Sequence, residues 1–309
     1  MMINSLIDLL DSLQSEEDCR EFLEAIRWDG GSAPICPHCG CQSKEHYKLT
    51  NGGQYRGLHK CKDCNKRFTV TVGTMFEGSH IPLRKWFVAI YMFLAHKKGI
   101  SSMQLHKDIA VTQKTAWFML SRIRYNLRNI KYIIYGDVTQ VDETYIGGKN
   151  KNRNAGKRLK NTRGRSLKLK TPVMGMLSNG RVYTEVIPKA SKWILQHAIN
   201  TFVPKGSTVV TDGWYGYKGL HENYEHKIVD HHRGEYVKGG YHTNSIEGFW
   251  SQLKRGIVGV YHLVSKKHLE LYCDEFACRY NTRDIEDGQR FGVFLTIAND
   301  RLRYCDLTL

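Results

Sequence analysis

The chain has 309 residues, of which 41% are hydrophobic, and its 46 lysines and arginines against 30 acidic residues give a formal net charge of +16. That apolar fraction excludes global disorder, and no apolar run approaches the roughly 18 residues that a membrane span needs, so we expect no membrane partner. Folding does not require so much positive charge, which repels itself. A polyanionic partner is therefore indicated, with double-stranded DNA as the leading candidate.

Residues 1–30 predict a short helical lead-in, since Phe22, Leu23 and Ile26 recur with helical spacing. The first residues show neither a basic start nor a cleavage site of small residues, so no secretory signal is indicated. We therefore expect a cytoplasmic protein whose cysteines stay reduced.

Residues 31–80 are rich in loops and contain two CxxC pairs, Cys36 with Cys39 and Cys61 with Cys64. Two such turns bring four thiolates to one tetrahedral ion, so the spacing predicts a structural zinc ribbon with no open position for catalysis. A strand is expected at 67–72. Alternative ligands remain open at this stage, namely Cys41 in place of Cys39, or one of His38, His46 and His59.

Residues 81–131 predict a helical, DNA-binding domain of the helix-turn-helix type. Pro82 begins a helix, Ser101 caps a second over 102–109, and Thr112 caps a third. We expect the exposed face of the third helix to present donors for phosphates and base edges: Gln113, Lys114, Arg122 and Arg124. The alternative is an ordinary helical pair with a solvated basic face.

Residues 132–309 alternate strand-like and helix-like segments, as a catalytic α/β domain would. Asp142 follows β-branched residues in the first strand-like segment, and Asp212 ends a second at 207–212. Glu247 belongs to an amphipathic helix that starts at Thr243 or Asn244, and Asn244 lies one turn before it on the same face. Glu143 should point to the opposite side of its strand from Asp142.

Two strand carboxylates and one helix carboxylate suit a pair of hard cations, Mg²⁺ or Mn²⁺, which need oxygen ligands from several directions. Each acid also has an ordinary interpretation, because an Asp at a strand end is commonly a turn residue and a helical Glu is commonly solvated. Their joint occurrence favours the metal site.

The ordered set of motifs resembles the DDE-type transposases of bacterial insertion sequences that carry an N-terminal zinc ribbon. The matching segments extend over about residues 30–260: the two cysteine pairs, Arg67-Phe68, Gly73 to Phe76, Leu83 to Trp86, Val141 to Lys149, Thr211 to Trp214, and His242 to Trp250.

The resemblance implies an RNase-H-like mixed sheet flanked by helices, preceded by the zinc ribbon and the helix-turn-helix domain. It implies Mg²⁺-dependent cleavage at transposon ends and transfer of the 3′ ends into target DNA, in a bacterial, nucleoid-associated protein. Asp142, Asp212 and Glu247 would hold magnesium. Some members of the family have Asn at the third position, so Asn244 stays an alternative, although a carboxylate binds Mg²⁺ better than an amide. Lys254 matches the family's basic helix residue, which with Arg255 is expected to bind DNA.

Residues 149–170 form a basic insertion without an acidic residue, and a block of one charge predicts a clamp on DNA phosphates next to the catalytic strand. Its cations are Lys149, Lys151, Arg153, Lys157, Arg158, Lys160, Arg163, Arg165, Lys168 and Lys170. The alternative is a solubilising loop.

Pairing of two transposon ends predicts a homo-oligomer. Two other functions fit the same sequence: a different RNase-H-like DNA endonuclease, which would cut without joining, and a repurposed DNA-binding regulator that uses only its first 130 residues.

Overall fold

The computed structural model describes residues 3–28, 30, 33–51, 54–130, 136–148, 150–162, 166–229, 234–235 and 237–308. The chain forms two compact units, one of Met1–Ile130 with Asp284–Leu309 and one of Lys131–Arg283. The expected boundary near residue 131 coincides with this division. The last segment differs from expectation, because residues 284–309 pack with the first unit and not with the sheet.

The first unit begins with two helices that start at serine caps, α1 (Leu6–Ser12) and α2 (Glu16–Arg27). In each, the serine hydroxyl accepts from the third helical N–H and an aspartate returns a bond to the serine N–H, which is a complete capping box. The lead-in is therefore helical as expected.

The ribbon is a three-stranded antiparallel sheet in the order β1 (Tyr47–Asn51), β2 (Gln54–Lys60) and β3 (Arg67–Phe68). The third strand is shorter than the expected 67–72. After Phe68 the backbone enters consecutive turns, with Val72 N–H bonded to Thr69 O and Thr74 N–H to Thr71 O, so it cannot continue the strand.

Helices α3 (Leu83–Ala95), α4 (Ser102–Asp108) and α5 (Gln113–Leu127) follow, with Ser101 and Thr112 capping the last two as expected. Helices α9 (Asp287–Ile297) and α10 (Tyr304–Thr308) belong to the same unit. Phe291 of α9 stacks on Phe22 and meets Phe87 edge to face, so the core of this unit joins both ends of the chain.

The second unit contains a five-stranded sheet in the order β6-β5-β4-β7-β8. Its strands are β4 (Val138–Gly147), β5 (Lys170–Ser178), β6 (Arg181–Val186), β7 (Thr208–Asp212) and β8 (Glu225–Val229). Strands β4, β5 and β6 pair antiparallel, whereas β7 and β8 run parallel to β4, so the sheet is mixed.

Helices cover both faces of this sheet. On one face α6 (Lys192–Phe202) packs on Val141, Met174 and Val209. On the other, α7 (Asn244–Gly256) and α8 (Leu269–Asn281) pack on Val173 and Leu177. The alternation of side chains along β5 explains why neighbouring residues enter different cores. The expected α/β class, a mixed sheet flanked by helices, is confirmed.

A search of the described residues found no helix that is both long and apolar enough to cross a membrane.

Candidate active site and metal centre

Asp142 and Asp212 lie side by side on neighbouring parallel strands. The register pairs Gln140 of β4 with Val210 of β7, and each aspartate lies two residues further along its strand. Adjacent strands are about 4.8 Å apart and a two-residue step keeps the same face, so both carboxylates emerge on the face that α7 covers. The sheet thus brings together two acids that are 70 residues apart in the chain.

Asp142 is largely buried, and its Oδ2 accepts a hydrogen bond of 3.0 Å from the indole Nε1 of Trp250 on α7. Burial, together with the neighbouring charge of Asp212, raises the pKa of Asp142 to about 6. Glu247 raises this pKa as well, by a smaller amount. The charges of Asp212 and Glu247 therefore disfavour the ionised form of Asp142, and a bound cation would relieve that repulsion.

Asp212 also shapes the turn after β7, because its Oδ1 accepts from the backbone N–H of Trp214 at 3.1 Å. Asp212 is therefore also a turn residue, as an Asp at a strand end commonly is.

Glu247 and Asn244 are both exposed in the first turns of α7. Glu247 accepts a bond of 3.0 Å from the hydroxyl of Thr243, and its charge reaches Asp142. Thr243 is the N-cap residue, but its side chain makes no capping bond to the helix backbone. These contacts favour Glu247 over Asn244 as the third acid position.

The three acids do not form a group in which all the ligand oxygens lie within 4.8 Å of one another; among the described residues only cysteine-containing groups do. A pair of ions about 3.5–4 Å apart, each about 2.1 Å from its ligands, accommodates oxygens up to about 8 Å apart. Oxygens that are further apart than 4.8 Å do not all bind one ion, whereas a two-ion site allows such a separation.

Lys254 lies two turns after Glu247 on α7, and its ammonium group interacts with the charge of Asp142. Partial burial lowers the pKa of Lys254, and the charge of Lys170 lowers it further, whereas Asp142 opposes both. Arg255 is exposed, with its Nε bonded to Ser251 O at 3.1 Å. Glu247 and Lys254, two turns apart, therefore lie on the same side of α7.

Glu143 points away from this face, as expected, and accepts a bond of 2.7 Å from the hydroxyl of buried Tyr217. Tyr217 belongs to the core beneath α6. Burial raises the pKa of Tyr217, and the charge of Glu143 adds to that, so the phenol stays protonated and donates.

The basic insertion contains two short 3₁₀ turns, Asn150–Asn152 and Ala155–Lys157. Arg158 closes the loop by donating to the carbonyl groups of Lys151 and Arg153, each at 3.2 Å. Six of the expected cations are exposed: Lys151, Arg153, Lys157, Arg158, Lys160 and Lys168, whereas Lys170 is half-buried. Lys149, Arg163 and Arg165 lie outside the described residues.

Arg122 and Arg124 are buried, 4% and 1% exposed, so the expectation that they lie on the exposed face of α5 is wrong. Arg122 donates to the carbonyl groups of Met75 at 2.7 Å and Leu302 at 2.8 Å. Arg124 places its guanidinium 5.5 Å from the centre of the Phe93 ring. The C-terminal segment and α3 pack on this half of α5, leaving Gln113 and Lys114 exposed at its start.

The four paired cysteines form one cluster, with Sγ atoms 3.7 Å apart for Cys36 and Cys64 and 3.6 Å apart for Cys39 and Cys61. Zinc–sulfur bonds of about 2.3 Å in a tetrahedron separate sulfurs by about 3.8 Å, so the cluster fits a structural zinc ion.

The alternative histidine ligands have other partners. His46 lies between the two CxxC turns, and its ring nitrogens are 3.2 Å from Cys41 O and 3.3 Å from Lys62 N. His38 contacts Arg67 O, and His59 stacks on Phe68. A second group of Cys41, His46 and Cys61 shares Cys61 with the first, and His46 would have to give up its backbone bonds to ligate.

Sequence reasoning missed the partners that hold these acids. Trp250 counted only as part of an apolar stripe, and Gln140 was not singled out, although its Oε1 accepts from Ile246 N–H at 3.2 Å. Gly175, inside an otherwise apolar strand, was a usable signal, because an isolated glycine in a strand indicates a close approach of another group.

Two family models match the chain. Residues 134–281 match a model described as the ISXO2-like transposase domain, and residues 14–67 match one described as a transposase zinc-ribbon domain. A Halobacterium salinarum protein, described as an uncharacterized protein in transposable element ISH50, is 32% identical over 277 residues. The alignment covers 86% of this chain and 90% of that protein.

An uncharacterized transposase-like protein of Haemophilus influenzae is 28% identical over 106 residues, covering 34% of this chain and 85% of that protein. Among solved structures, a pre-cleavage Mos1 transpososome aligns with 69% of this chain and 79% of its own at 13% identity. Its TM-score of 0.26 is too low to support an argument.

Proposed function

We propose, from the premise that this chain belongs to the ISXO2-like transposases of insertion sequences, that it cleaves transposon ends and joins the 3′ ends to target DNA. The observation that carries the proposal is the placement of Asp142 and Asp212 at equivalent positions of two parallel strands, beneath the helix that holds Glu247.

Asp142, Asp212 and Glu247 would hold two Mg²⁺ or Mn²⁺ ions, with Asn244 as the alternative to Glu247. When bound, such ions activate a water or 3′-hydroxyl and stabilise the leaving oxygen of the phosphodiester. The sheet fixes the two aspartates, α7 sets the position of Glu247, and Lys254 offers a cation for a phosphate beside them.

The DNA would meet two cationic surfaces that belong to different units. In the sheet unit these are Lys254, Arg255 and the exposed cations of the insertion, and each phosphate contact adds about 0.9 to the salt-dependence slope. In the first unit, Gln113 and Lys114 at the start of α5 take the place of Arg122 and Arg124 as candidates for end recognition. We further propose that two copies assemble to pair the transposon ends.

The test is Asp142→Asn, which keeps the acceptor for Trp250 but removes the charge. We expect Mg²⁺-dependent cleavage of an end-containing duplex to be lost and binding of that duplex to survive. Asp300→Asn, an aspartate of the first unit, is the matched control and should cleave normally. Retained cleavage by Asp142→Asn would overturn the site assignment.

A strand-transfer assay separates this proposal from the endonuclease alternative. Joining of 3′ ends to a target plasmid supports the transposase, whereas cutting without joining supports an endonuclease. Duplex binding without any cleavage in Mg²⁺ or Mn²⁺ would support the DNA-binding regulator.

A further inference from the structure

The hydrogen bond between Trp250 and Asp142 joins a core side chain to a catalytic carboxylate. Trp250 is 3% exposed and packs with Ile246, Phe249 and Leu253 beneath α7. Its indole nevertheless donates its single N–H to Asp142 Oδ2, at 3.0 Å. Water is largely excluded at this depth, so a bond to a charged oxygen is stronger and more directional than at the surface.

Gly175 makes room for this indole. It pairs with Asp142 across the β4–β5 ladder, so the indole and the carboxylate lie over the same part of the sheet. A Cβ at Gly175 would lie 2.5 and 2.7 Å from two ring atoms of Trp250 and 2.9 Å from Ile246 Cδ1. A rigid ring on a packed helix cannot retreat cheaply from such a contact, so any larger residue would move the indole away from Asp142.

Helix α7 is tied to β4 at a second point on the same face. Two residues before Asp142, the Gln140 side-chain oxygen accepts from the N–H of Ile246 at 3.2 Å, and Gln140 Nε2 lies 3.4 Å from His242 Nδ1. Glu247 follows Ile246 directly, and Trp250 lies one turn later. The two ties therefore fix the helix that holds Glu247 relative to the strand that holds Asp142.

We propose that Trp250 is a positioning residue for the two-metal site: its indole N–H, seated over Gly175, holds one oxygen of Asp142 and leaves the carboxylate oriented to bind a divalent cation. This inference rests on the proposed function. An ordinary packing role requires a large apolar ring at this position but not the N–H. Outer partners of this kind commonly change metal affinity by about 10- to 100-fold.

The experiment measures Mn²⁺ binding to the full chain, without DNA, from the electron paramagnetic resonance signal of free Mn²⁺. Trp250→Phe keeps an aromatic ring and removes the N–H. We expect it to weaken Mn²⁺ binding by about 10-fold or more, and to raise the Mn²⁺ concentration for half-maximal cleavage, with duplex binding unchanged.

Trp86→Phe is the matched control, because Trp86 is a buried tryptophan of the first unit whose Nε1 donates to Ser79 Oγ at 2.9 Å. Its loss of an indole N–H should leave Mn²⁺ affinity unchanged. Gly175→Ala should weaken Mn²⁺ binding in the wild-type background and have little further effect when combined with Trp250→Phe. Equal Mn²⁺ affinity in Trp250→Phe and wild type would overturn the inference.

A measurement on chains that keep Trp250 covers the case in which Trp250→Phe fails to fold. The chain has six tryptophans, hence six indole N–H resonances. Diamagnetic Mg²⁺ should shift one of them strongly in wild type and not in Asp142→Asn; the absence of any such Asp142-dependent shift contradicts the inference. If wild type and Asp142→Asn instead bind Mn²⁺ equally, the metal site itself, and with it the proposed function, is wrong.

Discussion

At the scale of single residues, Asp142 combines its proposed role in chemistry with a cost in stability. Its carboxylate is buried beside Asp212 and Glu247, and its pKa is raised to about 6 from an ordinary value of 3.8. Without a bound cation, the folded state therefore holds the proton more tightly than the unfolded state does. The ionised form destabilises the metal-free fold, as is common where like charges converge at a functional site.

Replacing Asp142 by Asn should therefore stabilise the metal-free protein. A raised carboxyl pKa makes stability fall as pH rises from 3.8 through about 6, and the amide removes that loss. We expect Asp142→Asn to raise the free energy of unfolding at pH 7.5 by up to about 3 kcal/mol, with the gain shrinking toward pH 4. Denaturant unfolding of both proteins in chelator at several pH values measures it. A destabilised variant at pH 7.5 would contradict the electrostatic account.

Arg122 illustrates a cation that serves the fold. Its buried guanidinium satisfies the carbonyl groups of Met75 and Leu302, so Arg122→Ala would leave both without their donor. We expect a loss of about 2–4 kcal/mol in the stability of the first unit. The exposed Lys114→Ala is the control: it should change stability by less than about 0.5 kcal/mol and weaken duplex binding. Unchanged thermal unfolding of Arg122→Ala would show that the buried bonds are dispensable.

At the scale of elements, we expect the ribbon to depend on a bound zinc ion. Three short strands supply a small apolar core around Phe68 and Trp28, too little to stabilise a fold without a cross-link. The cysteine cluster joins the two CxxC turns, and His46 adds hydrogen bonds between them.

Loss of zinc should therefore unfold the ribbon and leave the five-stranded sheet folded. We expect Cys36→Ser to reduce the zinc content measured by mass spectrometry, and to expose the amides of β1 and β2 to hydrogen exchange, while β4 and β5 stay protected. Cys305→Ser, at an exposed cysteine outside the cluster, should keep its zinc. A full complement of zinc in Cys36→Ser would contradict the four-cysteine assignment.

Helix α7 contains three of the side chains proposed to act at the site. Glu247, Trp250 and Lys254 follow at helical spacing along it, so an acid, an anchoring donor and a cation share one side while Phe249 and Leu253 fill the core. The amphipathic pattern was visible in the sequence. The partner of each polar group was not, because it depends on which strand residue lies opposite.

At the scale of the whole molecule, the first unit is assembled from both ends of the chain. Phe291 contacts Phe22 and Phe87, and Asn126 of α5 exchanges hydrogen bonds with Asp300, donating to its carbonyl and accepting from its N–H. The sheet unit is a single continuous insertion between these parts.

A chain that ends at Arg283 should keep the sheet unit and lose the fold of the first unit, because it lacks Phe291, the Leu302 carbonyl bonded to Arg122 and the Asp300 backbone bonded to Asn126. Hydrogen exchange should show protected amides in β4 and β5 and exchanging amides in α3 and α5. A chain that ends at Leu302 keeps these partners and is the control. Equal protection of α3 in both truncations would contradict this assembly.

The sequence by itself determined the features that short stretches encode. Serine and threonine caps predicted where helices begin, and the strand patterns around Asp142 and Asp212 together with the amphipathic pattern around Glu247 predicted the mixed α/β class. The CxxC spacing predicted the cysteine cluster. The caps and the strand and helix patterns depend on residues a few positions apart, and the two short cysteine spacings are a recognisable motif, so all of them can be identified without a fold.

Only the tertiary structure decided which polar groups meet across the chain. It buried Arg122 under the C-terminal segment and Arg124 against Phe93, placed residues 284–309 in the first unit, and set the Trp250 indole against Asp142 over Gly175. These outcomes depend on contacts between segments that are far apart in the chain, by 108 residues for Asp142 and Trp250. An arginine or tryptophan has the same local pattern whether it faces water or a buried partner, so only packing could distinguish the two.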